Sequence, residues 1–278
     1  MAMHGSSEPV LVGVDGSAHA FQAVGLAAAE ATRLNLPLVI LHATAETGED
    51  ASHEGTRILH DAAQAAPAAA HAQTILATGP AAQTLLEHAA KAALVVVAHR
   101  GTNALEDLLL GSVAAHVAAH CPVPVLVSRG AQHEHGQVVV GIDGSAQSPH
   151  IAEAAFAEAT ARGVDVFAVH AWTGPVSGGP GDMLPLVYDQ NEVEGEEQRV
   201  LAEALSGLRE RYPDVTVQEM LVKGRPGRVL AHLSETAGLV VIGSKGPPSS
   251  ANLLPGSVRR HLLHHAACPV LIIPRGDE

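Results

Sequence analysis

Asp15 and Asp143 each end an apolar run and each stand directly before Gly-Ser, in Val10-Leu11-Val12-Gly13-Val14-Asp15-Gly16-Ser17 and Val138-Val139-Val140-Gly141-Ile142-Asp143-Gly144-Ser145. A second kind of pattern follows another apolar run: Leu239-Val240-Val241-Ile242 leads into Gly243-Ser244-Lys245-Gly246. After a polar, proline-bearing stretch, Gly256-Ser257 opens Val258 to Leu263, where apolar positions recur at helical spacing. Glycines at a strand exit let a ligand approach the main chain, and the free N–H groups of a helix start favour an anion there. The chemistry this allows is phosphate binding. Each feature also has a plain structural use. The glycines suit turns, Ser257 suits a helix N-cap, and either aspartate could cap the helix that follows it.

The phosphate pattern occurs twice. Leu94 to Val97 leads into Ala98-His99-Arg100-Gly101, and Gly111-Ser112-Val113 follows. Gly101, Gly111 and Pro124 recur as Gly246, Gly256 and Pro269, each 145 residues on, whereas Asp15 and Ser17 recur as Asp143 and Ser145, 128 residues on. The change of offset places an insertion of 17 residues between the second and third strands of the second copy, much of it in the Gly- and Pro-rich stretch Thr173 to Leu186.

The spacing G-x-x-G, nine residues, then G-S resembles the nucleotide-binding signature of the universal stress protein family, and the duplication resembles its tandem two-domain members. Gly243, Gly246, Gly256 and Ser257 complete the signature; in the first copy Ala98 replaces the leading glycine. The resemblance implies two open, mainly parallel five-stranded sheets of order 3-2-1-4-5, with helices on both faces, in the adenine-nucleotide alpha-hydrolase-like class. Strands 1 and 4 are then neighbours, and their tips form the crevice where open α/β sheets hold ligands. It also implies that aspartate meets the ribose, that main chain after strand 2 meets adenine, and that the glycine loop and G-S step hold phosphates. The residues concerned are Gly13, Asp15, Ala43, Gly101, Gly111 and Ser112 in the first half. In the second they are Gly141, Asp143, Ala171, Gly243, Gly246, Gly256, Ser257 and Val258. The implied ligand is ATP, with Mg2+ as an optional companion. The two halves are expected to form an intramolecular pseudo-dimer through Val123–Val127 and Val270–Ile273, with a homodimer left open.

The elements that would position these residues alternate. Apolar runs begin at Val10, Leu38, Ala72, Leu94 and Val123, and alanine-rich helical stretches lie between them; Pro80 begins the third helix. Strand–helix alternation predicts parallel sheet with right-handed crossovers. Residues 8–129 and 137–275 are the expected domains. Arg129 to Gly136 is a polar linker, and a helix from about Tyr188 to Arg211 carries Glu192, Glu194, Glu196 and Glu197 on a solvated face.

With 47% hydrophobic but only 2% aromatic residues, the cores must be Ala, Val and Leu, and platforms for stacking nucleic-acid bases have almost nothing to be built from. The net charge of −13 divides into −7 for residues 1–136 and −6 for the rest, so neither half reads as a nucleic-acid binder. An acidic chain that binds phosphate must do so with local N–H groups and a few placed cations. Arg100 and Lys245, just before the second glycine of each loop, fit either a phosphate contact or a solvated charge. No apolar run approaches the roughly 20 residues of a membrane span and no signal peptide is evident, so the expectation is a cytoplasmic protein with Cys121 and Cys268 as partly buried, reduced thiols.

Other chemistry finds less support. His116 and His120, and their counterparts His261 and His265, have the spacing of paired zinc ligands, but no third ligand or general-base Glu accompanies them, and no metal site is assigned. Ser177 to Asp182 resembles the phosphate loop of ATP pyrophosphatases but follows the wrong strand and reads as a flexible loop. P-loop, dinucleotide-binding and nucleophile-elbow motifs are absent. No acid–base pair stands at either strand tip, so no catalytic residue is assigned; a nucleotide-independent scaffold and an ATP-consuming enzyme stand as alternatives to a nucleotide-binding regulator.

Overall fold

The computed structural model describes residues 8–45, 48–66, 72–101, 110–133, 135–173, 190–244 and 257–275. Gly246, Gly256, Lys245, the Ser177–Asp182 stretch and most of the insertion lie outside them.

The first half runs β1 (Val10–Val14), α1 (Ala18–Leu34), β2 (Leu38–Thr44), α2 (Glu49–Ala65), β3 (Gln73–Thr78), α3 (Ala81–Ala89), β4 (Leu94–Ala98), α4 (Ser112–His120), β5 (Val125–Ser128). The second repeats it as β6 (Val138–Ile142), α5 (Ser148–Arg162), β7 (Val166–Trp172), α6 (Gln190–Ala204), α7 (Leu208–Arg211), β8 (Val217–Lys223), α8 (Pro226–Leu233), β9 (Leu239–Gly243), α9 (Ser257–His265), β10 (Val270–Ile273). Each half has the expected order 3-2-1-4-5, all parallel. The two join into one ten-stranded sheet, β3-β2-β1-β4-β5-β10-β9-β6-β7-β8. The seam is antiparallel, Val270 opposite Val127 and Ile272 opposite Val125.

Sequence type explains the layers. Central strands such as β1 and β9 are continuous aliphatic runs because helices cover both their faces. The outermost strand β3 alternates with exposed positions. Helices α1, α2, α5, α6 and α7 pack one face, and α3, α4, α8 and α9 the other. Alanines let α1 lie close to the sheet: Ala23, Ala27 and Ala31 are buried beside Val24. Phe156 is the largest fully buried side chain among the described residues and sits 5.7 Å, centroid to centroid, from Tyr212. Asn35 and Gly163, 128 residues apart, end α1 and α5 in the left-handed conformation, their N–H groups returning to carbonyls of the last turn.

Several expectations need correction. The helix read as one piece to Arg211 breaks after Ala204, because Gly207 takes a left-handed turn (φ 71°) before α7. Glu194 and Glu196 are exposed as expected, but Glu197 turns inward, its Oε2 2.5 Å from His170 Nε2, while His170 Nδ1–H donates to the Ile142 carbonyl at 2.8 Å. Cys121 is half-buried, but Cys268 is fully buried and its thiol is pushed up to about 12 by desolvation, so it is an inert core residue. Pro80 occupies the cap position of α3 rather than its first turn. Arg129, read as linker, is bonded into the other half.

Candidate functional site

At the carboxyl ends of β1 and β4 a cavity of about 340 Å³ opens. It is lined by Gly13 and Asp15 from β1 and its exit, Ala43 from β2, Ala98, Arg100 and Gly101 after β4, and Gly111 and Ser112 at the start of α4. All six first-half candidates therefore meet in one space, because parallel pairing of β1 with both β2 and β4 sets their tips side by side. Leu41, Leu85, Val97, Leu110 and Val113 supply the apolar walls. Asp15 and Arg100 supply opposite charges.

Asp15 does not cap α1. Its Oδ1 accepts the Ser17 N–H at 3.0 Å, and Ser17 is the cap, its Oγ accepting the Ala20 N–H at 3.1 Å. Local bonding thus fixes one carboxylate oxygen and turns the other, Oδ2, toward Gly101, against the position a Cβ would take there. Gly101 is needed for the approach of Asp15 as well as for any ligand. A Cβ on Gly13 would meet Leu85 at 2.8 Å, so this glycine also serves helix packing.

The α4 side of the cavity is closed at its base. Gly111 N–H donates to the His99 carbonyl at 2.8 Å, which brings the two ends of the glycine loop together. Gly111 holds the cap position of α4, no side chain caps it, and Ser112 is the first helical residue; Ser257, expected as the cap of its helix, is likewise the first residue of α9 rather than its cap. The first N–H groups of a helix have no intrahelical acceptor, and the residues that carry them here, Ser112, Val113 and Ala114, line the cavity.

His99 was not singled out from the sequence. It is buried; its Nδ1–H donates to the Ser128 carbonyl at 3.0 Å and its ring lies edge-on to His19, centroids 5.0 Å apart. Burial, with Arg129, Arg100 and His19 nearby, lowers it to about 4. The position of His99 next to Arg100 was visible; its contacts were not.

In the second half, Asp143 keeps the same turn, accepting Ser145 N–H at 3.0 Å, and also takes the Ser148 hydroxyl at 3.1 Å. Helix α5 starts later than α1, at Ser148, and no side chain caps it. Gly141 would place a Cβ 2.8 Å from Leu230, matching Gly13 with Leu85. Ala171 is buried at the end of β7, Gly243 ends β9, α9 begins at Ser257, and Val258 is half-buried against the core. Gly246 and Gly256 fall outside the described residues. Arg259, also missed, stands at the register position of cavity-lining Ala114, and its Nη1–H donates to the Ser244 carbonyl at 2.6 Å. Trp172 follows Ala171, with Lys223 Nζ 5.5 Å from its ring centre. His116/His120 and His261/His265 form tilted ring pairs with centroids 4.4 and 4.5 Å apart, and among the described residues no group of three or more metal-ligating side chains gathers.

Fold and site together define a duplicated, open, mainly parallel α/β protein with a cavity at the point where strand order reverses. The sequence profile of the universal stress protein family matches residues 7–129 and again residues 135–274. Among relatives, universal stress protein Rv2005c of Mycobacterium tuberculosis is 37% identical over 288 residues, covering 95% of this chain and 96% of the relative. Universal stress protein Rv2623 of the same organism is 33% identical and covers 98% of both chains. A crystal structure of a universal stress protein from Archaeoglobus fulgidus shares the fold with a TM-score of 0.70 at 20% identity, over 98% of each chain. The chain belongs to the universal stress protein family.

Proposed function

We propose that each half holds one adenine nucleotide, with ATP the expected ligand, and that the chain is a nucleotide-dependent regulatory module of the stress response with at most slow hydrolysis. The observation that carries this reading is the single cavity shared by Gly13, Asp15, Ala43, Gly101, Gly111 and Ser112, residues far apart in the chain. Its volume suits a small ligand, and its apolar walls with a few convergent polar groups are what such ligands require. Adenine lies against Ala43, the ribose hydroxyls donate to Asp15, and phosphate takes the N–H groups of the α4 start with Arg100 beside it. In the second half Ala171, Asp143, Gly243, Gly246, Gly256 and Ser257 take the corresponding roles, flanked by Gly141 and Val258. Among the described residues Asp15 is the single carboxylate lining the cavity, and an accompanying Mg2+ would also take oxygen ligands from phosphate and water.

We assign the working units as residues 8–129 and 137–275, a pseudo-dimer within one cytoplasmic chain that needs neither nucleic acid nor membrane. Among the described residues no helix is long and apolar enough to cross a membrane. The test is mass spectrometry of small molecules released when freshly purified protein is denatured, with calorimetric titration of ATP. Released or titratable adenine nucleotide, lost on combining Asp15→Ala with Asp143→Ala, supports the reading. No nucleotide by either route would leave the scaffold in its place, and steady turnover would make the chain an enzyme.

A further inference from the structure

Helix α9 is completed by the other half of the molecule. An α-helix leaves its last carbonyls without intrahelical donors. Arg129, just after β5, supplies those donors: Nε–H to the Ala266 carbonyl at 2.6 Å, Nη1–H to the Leu263 carbonyl at 2.9 Å, and Nη2–H to the His264 carbonyl. The next carbonyl, Ala267, accepts the Ala131 N–H at 2.8 Å. Between them Gly130 turns with φ +60° and lies so close to Ala267 that a Cβ there would collide with its carbonyl. A cation at a helix C-terminus also opposes the helix dipole favourably.

The same short segment is tied to the first site. Ser128, before Arg129, accepts both the N–H of His99 at 3.1 Å and its Nδ1–H at 3.0 Å, and His99 precedes the cavity residues Arg100 and Gly101. We infer that Arg129 is a positioning residue through which the first half sets the placement of α9, the helix whose Ser257 start faces the second half's nucleotide. This rests on the proposed function for the meaning of that site. The second site is thereby built from both halves, and its affinity depends on a residue about 130 positions away in the chain.

The experiment uses the full chain carrying Arg129→Ala or Arg129→Lys. In the Asp15→Ala background, where the second site alone remains, Arg129→Ala should weaken ATP binding about 5- to 30-fold by calorimetry. In the Asp143→Ala background, ATP affinity at the first site should stay within about twofold. Arg129→Lys, which keeps the charge with fewer donors, should recover part of the loss. Hydrogen exchange without nucleotide should rise in residues 257–267 and not in α4. Unchanged exchange in α9, or faster exchange there with unchanged second-site affinity, overturns the inference. Should the wild-type chain bind no nucleotide, the proposed function falls, and the exchange comparison still decides whether Arg129 places α9. Should Arg129→Ala not fold, Arg129→Lys carries the same comparison.

Discussion

Arg162 in the second half places its Nη2 2.5 Å from Oε1 of Glu30 in the first, and Glu30 is 1% exposed. Glu30 also pairs with Arg33, and Arg162 with Glu158, so four charged residues of α1 and α5 meet across the two halves. Desolvation outweighs the attraction and brings the Arg162 guanidinium down to about 10 even beside Glu30. This cluster lies on one face of the sheet, and α9, to whose end Arg129 is bonded, lies on the other, with the β5–β10 seam between them.

Glu30→Ala should therefore be costly. It leaves a buried guanidinium without its principal carboxylate, an effect of about 3 to 5 kcal/mol, while replacing Glu30 and Arg162 together with Met should cost much less. Urea denaturation of the three proteins checks this. Equal losses for the single and double variants would mean that the pair itself, rather than the uncompensated charge, dominates.

Gly101→Ala should damage the first site selectively. The added methyl group falls on Asp15 Oδ2 and must push the carboxylate from the cavity, while the surrounding strands are untouched. ATP affinity at the first site should drop tenfold or more, about 1.4 kcal/mol or above, with circular dichroism unchanged. Titration in the Asp143→Ala background isolates that site, and retained affinity there would remove Asp15 from the proposed contact.

His99 should make the fold sensitive to mild acid. Its folded value of about 4 lies below the ordinary 6.5, so between these values the unfolded chain binds more protons than the folded one. Stability is then full above about pH 6.5 and declines as pH falls toward 4. The loss is on the order of 2 to 3 kcal/mol. Denaturation midpoints at several pH values for the wild type and His99→Gln test it; the variant should show the shallower decline, and identical slopes would assign the acid sensitivity elsewhere.

The two sites should differ in strength, the second being the tighter. Ala98 stands at the first strand exit where the second has Gly243, and Arg259 brings a cation to the position of Ala114. An overpacking methyl group costs on the order of 1 to 3 kcal/mol. Trp172, next to Ala171, should respond to the lower of two ATP concentrations, and Asp143→Ala should abolish the response while Asp15→Ala leaves it. A tight phase that survives Asp143→Ala and vanishes with Asp15→Ala reverses the ranking.

Local patterns in the sequence determined much of this molecule. Unbroken aliphatic runs such as Leu94–Val97 could only be strands covered on both faces, and alanine-rich stretches between them could only cross over in parallel. The recurrence of Asp-Gly-Ser and of the glycine spacing located the candidate site, since backbone approach and strand-tip position leave marks in residue type. What tertiary structure alone decided are the partners of side chains whose types allow many. A carboxylate at a strand tip can cap the following helix or stay clear of it, and Ser17, which takes the cap of α1 itself, decides that for Asp15. Glu197 in a run of glutamates looks like solvated surface until β7 brings His170 beneath it. Arg129 lies in a stretch with the composition of a linker, and its three acceptors are more than 130 residues away, so no local pattern could connect them. Periodicity records which face of an element is buried; it does not record which distant carbonyl or carboxylate a long side chain will meet there.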